Sequence, residues 1–100
     1  MNNEIRQGQA WIERAISDVF VGIEFERWYE KIDNGTYILR GGLEGEKNLK
    51  FIASMELLED IPNTKDLRER TPSLIQKYFK TWRLNPDKKH KFEIFEKFLK

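Results

Sequence analysis

Cysteine is absent from the 100 residues, and histidine occurs once, as His90. Without thiols there is no disulfide framework, no thiol nucleophile and no thiolate metal site. A lone histidine cannot assemble a zinc site of the usual kind, and His90 has no evident triad partner. Set among lysines, it reads as a surface residue, and no cofactor is expected. No run of eighteen apolar residues occurs, so nothing reads as a membrane span. Glu4, Glu13 and Asp18 interrupt the first twenty residues, which therefore do not read as a signal peptide. The stretch "RGGLEGEK" has glycines but neither Walker spacing nor a Ser or Thr after its lysine, so no phosphate loop is present. The expectation is one compact domain over residues 1–100, in the cytoplasm, with no membrane partner.

What is present is an aromatic-rich, heavily charged chain. Thirteen per cent of the residues are aromatic and 35% are charged, with a formal net charge of +1. That apolar content supports a core, which a disordered chain would lack. The near-neutral balance hides an asymmetry. Residues 1–60 carry seven basic and twelve acidic side chains, a net of −5, while residues 61–100 carry eleven and five, a net of +6. Such segregation marks an interaction surface or two halves that attract each other in the fold.

The first periodicity is helical. Ile5, Trp11, Ile12, Ala15, Ile16, Val19 and Phe20 fall on one half of a wheel, with Asn3 as cap; a helix is predicted from about residue 3 to 20. Gly22 is a poor continuation. The period then falls to two, with Ile23 and Phe25 alternating with Glu24 and Glu26, and a strand runs towards Ile32. Asn34-Gly35 between β-prone runs is a hairpin signal, because a type I′ turn needs positive φ twice. "TYILRG" and "LKFIASMEL" supply two more strands, the last with Leu49, Phe51, Ala53 and Met55 on one face. The middle of the chain is thus an antiparallel meander whose other face carries Glu24, Glu26, Arg40 and Lys50.

Thr71-Pro72 reads as the start of a helix, cap followed by first-turn proline, after a short turn near Thr64–Arg70. Leu74, Ile75, Tyr78, Phe79 and Trp82 form its apolar arc, and Gln76, Lys77, Lys80, Thr81 and Arg83 the polar one. Rings and cations interleave in sequence but separate in space, so the rings are expected in the core rather than stacked with bases. Asn85-Pro86 repeats the start signal for a last helix bearing Phe92, Ile94, Phe95, Phe98 and Leu99. Lys88 and Lys91 intrude on its apolar side unless "DKKHK" is a basic loop. The fold class is α+β: a three-stranded antiparallel meander covered on one face by helices, order α-β-β-β-α-α.

No motif names a function. "TKDLRERTPSLIQKYFKTWR" lacks the helix-turn-helix glycine and opens its second helix on proline rather than on polar base-reading residues. The αβββα order is shared with the double-stranded RNA-binding domain, but that module needs lysines where this chain has "TPSLIQ", and the family is not assigned. The expected function is that of a small, non-catalytic binding protein whose partner is another protein, of the inhibitor, immunity or accessory kind. Its surface is sought at Glu24, Glu26, Trp28 and Tyr29. The alternative is a nucleic-acid-binding protein using Lys77, Lys80, Arg83, Lys88, Lys89 and Lys91. A nuclease-type activity would fall to Tyr37, Arg40 and Lys50.

Overall fold

The computed structural model describes residues 3–31 and 35–99. Helix α1 spans Asn3–Val19, with Ile5, Gly8, Gln9, Ile12, Ala15 and Ile16 buried along one stripe. The chain turns at Gly22, where φ is +88°, a conformation that glycine enters without steric cost. Strands β1 (Glu24–Phe25), β2 (Tyr29–Lys31), β3 (Thr36–Gly42) and β4 (Leu49–Ser54) follow. Both β1 and β2 lie antiparallel along β3, and β3 lies antiparallel to β4. The expected meander is therefore present. Gly35 has a positive φ, +61°, but Lys31 pairs with Thr36, so residues 32–35 separate the strands and the connection is longer than the two-residue type I′ turn expected at Asn34-Gly35; Ile32 and Asn34 lie outside the described residues.

The edge of the meander contains a bulge. Phe25 pairs with Gly41 and Tyr29 with Ile38, so three residues of the edge (26–28) oppose two of β3. An extra residue reverses the side-chain alternation. Phe25 shares a face with Gly41, whereas Tyr29 shares the opposite face with Ile38.

Ser54 ends β4 and caps α2 (Met55–Asp60), its hydroxyl accepting from the Leu57 N–H at 3.1 Å. Met55 therefore opens a helix instead of continuing the strand, and is 36% exposed. A 3-10 turn (Ile61–Asn63) leads into α3, Lys65–Leu84. This single helix runs through Thr71-Pro72, which does not start it. Leu67, Thr71 and Ile75 are buried at spacings of four along one stripe, and burial of that stripe outweighs the local cap signal. The Thr71 hydroxyl is fully buried and donates to the Leu67 carbonyl at 2.7 Å.

The largest departure from expectation lies after Asn85. Residues 90–94 form a strand, β5, parallel to β4, in place of the last helix; a 3-10 turn follows over Glu96–Phe98. The sheet is therefore mixed, in the order β1/β2-β3-β4-β5. Phe92 and Ile94 stand in register with Phe51 and Ala53, and all four are buried. A parallel neighbour needs a long crossover, and α2 and α3 provide it.

The α+β class, with helices on one sheet face, holds. Tyr37, Leu39, Leu49, Phe51, Ala53, Phe92 and Ile94 from the sheet join Ile12, Ile16, Leu57, Leu58 and Ile75 in one continuous core. The rings of α3 turn inward as the wheel predicts. Phe20 meets Phe79 edge-on at 5.2 Å and Trp82 at 5.6 Å, and Tyr78 stacks on Phe92 at 4.7 Å. No described helix is long and apolar enough to cross a membrane.

Candidate functional site

The open face of the sheet carries the charge. Arg40 pairs with Lys50 across β3 and β4, and Lys50 with Lys91 across β4 and β5. In-register partners share a face, so three cations stand in a row over neighbouring strands, about 5 Å apart from strand to strand. Lys47, from the β3–β4 loop, and Lys89, from the turn before β5, join them. The five cations line one hollow of about 310 Å³ with Asn48, Leu49 and His90.

Asn48 builds the hollow. Its side-chain Nδ2 donates to the Pro86 carbonyl at 2.6 Å and to Glu46 Oε2 at 3.3 Å, and its carbonyl accepts from the His90 N–H at 2.7 Å. These bonds tie the 85–89 turn to the sheet and bring Lys89 beside Lys47. His90 is half-buried, stacks on Phe92 at 5.6 Å, and has Nε2 2.7 Å from the Asn85 carbonyl. It acts here as a strut of the turn.

Most of this charge is uncompensated. Among the described residues, Lys91 is the one of the five in an ion pair, with Glu93 at 3.4 Å. Arg40 donates from Nε to the Tyr29 hydroxyl at 3.3 Å and lies 6.0 Å from that ring's centroid. The hydrogen bond to Tyr29 raises the guanidinium above its ordinary pKa, with Glu26 adding a smaller attraction. Like charges held together repel; they persist on a surface where water screens them and favour an anion that enters between them.

The expected site residues are divided by the fold. Lys89 and Lys91 enter the hollow. Lys88 is exposed on the neighbouring turn. Lys77 sits beyond β5, lining an edge pocket with Lys91, Tyr78, Glu93 and Phe98. Lys80 and Arg83 are exposed on α3 and do not line the hollow, Arg83 lying 5.8 Å from the Phe79 ring. Of the acidic-edge set, Glu24, Glu26 and Tyr29 are exposed, whereas Trp28 is half-buried against the core. The nuclease trio does not assemble. Tyr37 is 7% exposed on the helix side, and Arg40 and Lys50 point the other way. Burial, then Glu30 and Glu59, raise the Tyr37 phenol further. Among the described residues no three His, Asp or Glu side chains gather as a metal would require.

Lys47 was not among the expected site residues. Its signal is its place in the loop that leads into β4, three residues before Lys50. No family model, curated protein or solved structure matches the chain.

Proposed function

We propose that the chain binds the phosphate backbone of a nucleic acid on the open face of its sheet. The observation that supports this reading is the convergence of Arg40, Lys47, Lys50, Lys89 and Lys91, from separate segments, on one hollow. Phosphate contacts are made by such Lys and Arg groups. Protein interfaces are depleted in lysine and organised around buried apolar anchors; the hollow has four lysines and Leu49, which is 1% exposed. This keeps Lys89 and Lys91 from the nucleic-acid alternative and replaces its α3 cations with Arg40, Lys47 and Lys50 of the sheet and its loop. It also ranks phosphate binding above a protein partner at Glu24, Glu26, Trp28 and Tyr29.

Two triple variants with the same change in net charge test it. K47E/K50E/K89E reverses the hollow, and K77E/K80E/R83E reverses α3. Binding of a labelled oligonucleotide is followed by fluorescence anisotropy over a salt series. A strand whose phosphates meet all five cations has a slope of log K against log salt of about −3.5, at ~0.7 per phosphate. The hollow variant should lose binding and the α3 variant should retain most of it. The opposite pattern, or an affinity indifferent to salt, refutes the assignment.

A further inference from the structure

Two rings stand exposed among the large apolar side chains of the described residues: Tyr29 at 41% and Phe98 at 48%. Both border the cation row. Tyr29 shares the open face with Arg40, whose guanidinium lies 6.0 Å from the ring centroid. Phe98 lines the pocket at the β5 edge with Lys91 and Lys77, and Lys97 lies 5.0 Å from its centroid. Lys91 lines both this pocket and the hollow. The surface therefore runs Tyr29, Arg40, Lys50, Lys91, Phe98: a ring, three cations, a ring.

Resting on the phosphate-binding reading, we infer that the ligand is a single strand, its phosphates on the Arg40–Lys50–Lys91 row and its bases stacked on Tyr29 and Phe98. An exposed ring beside a cation is what an unpaired base requires, because every base offers a π-face and stacking tolerates any sequence. Paired bases in a duplex are already stacked and leave such rings without a partner. Shape points the same way. The track crosses from β2 to β5, about 14 Å at ~4.8 Å per strand, whereas a major groove ≈12 Å wide admits a helix or a two-stranded ribbon. A single strand laid across the strands meets rings and cations in turn. The bulge at residues 26–28 is what makes this track: without it Tyr29 would share the helix-side face with Phe25.

Three probes of equal length, about ten nucleotides, separate this inference from the reading beneath it: oligothymidylate, the same backbone without bases, and a duplex. The wild type should bind oligothymidylate about 5- to 150-fold tighter than the base-free strand for each ring engaged. Y29F/F98A and Y29A/F98A both lose the Tyr29 hydrogen bond to Arg40 and should bind the base-free strand alike, whereas Y29A/F98A should lose the preference for oligothymidylate. Y29F, which keeps the ring and loses the hydrogen bond to Arg40, should retain it at Tyr29. Circular dichroism verifies that the variants are folded. If the wild type binds all three probes equally, or if Y29A/F98A keeps the preference, the stacking inference is wrong while phosphate binding stands. If none of the probes binds at low salt, phosphate binding fails with it, and an acidic protein surface becomes the ligand to pursue.

Discussion

Gly8 sets two general rules against each other, and the structure decides between them. In a solvent-facing helix, glycine to alanine stabilises by about 1 kcal/mol through propensity alone. Gly8 is buried where α1 crosses α2. A Cβ built on it would lie 2.0 Å from the Leu58 carbonyl oxygen, 2.7 Å from its carbon and 2.8 Å from Leu58 Cα. An ordinary contact is ~3.5 Å, so the helices would have to part by roughly 1.5 Å. The obstacle is backbone, which no rotamer change relieves. Leu57 and Leu58 are fully buried on α2, so parting the helices loosens the core as well. Overpacking costs about 1–3 kcal/mol, and a backbone clash belongs at the upper end. After the gain in propensity, G8A should destabilise the fold by about 2 kcal/mol. For a domain of this length that is a drop in Tm of roughly 10 °C. Thermal and urea unfolding followed by far-ultraviolet circular dichroism measure it, with A10G as reference. Ala10 is exposed on the same helix, and its replacement should cost about 1 kcal/mol with no clash. A G8A protein as stable as the wild type, or more so, would refute the close crossing of α1 and α2.

Pro72 sits inside α3, where it withholds an N–H from the Arg68 carbonyl. P72A should therefore raise the urea midpoint, by an amount equivalent to about 1–3 kcal/mol; a lower midpoint would mean that ring packing in the groove shared with Trp11 and Ala15 outweighs the restored bond. Burial, and then the nearby Glu93, push the Tyr78 phenol up to about 12, while its hydroxyl donates to the Glu93 carbonyl. The folded state thus favours the protonated phenol, so this contribution to stability is complete below the ordinary value of ~10 and is lost as pH rises from there towards 12. Above pH ~10 the wild type should lose stability with pH more steeply than Y78F, and the difference between their ultraviolet titrations should show the Tyr78 phenol ionising late. Equal slopes would place Tyr78 in water.

Much of the fold is legible in local periodicity, because a half-buried element writes its own period into the chain. Helix α1, the three meander strands and the inward arc of Tyr78, Phe79 and Trp82 are all read this way. Two local signals mislead. Thr71-Pro72 has the chemistry of a helix start, but Leu67, Thr71 and Ile75 already share a stripe that the core buries. Residues 90–99 satisfy both periods, with Phe92, Ile94, Phe95, Phe98 and Leu99 on one helical side, or Phe92 and Ile94 alternating with Lys91 and Glu93. The intrusion of Lys91 on the helical reading was the sign of conflict. The unpaired edge of β4 resolves it, since an open edge supplies backbone partners only to a strand.

The cationic face was legible only in fragments. Arg40 and Lys50 could be placed on the polar face of the meander, and Lys89 and Lys91 in a basic stretch, but nothing local joins the two pairs. The residues themselves determined the α+β class, the apolar stripes and the amount of charge, because these depend on patterns a few residues long. Tertiary structure alone decided where that charge collects. The Asn48–Pro86 bond spans 38 positions, the parallel pairing of β5 with β4 depends on a crossover through two helices, and the bulge that turns Tyr29 outward exists only relative to β3. Contacts between distant segments leave no period in the chain, so the fold must form before the cations and the rings become one surface.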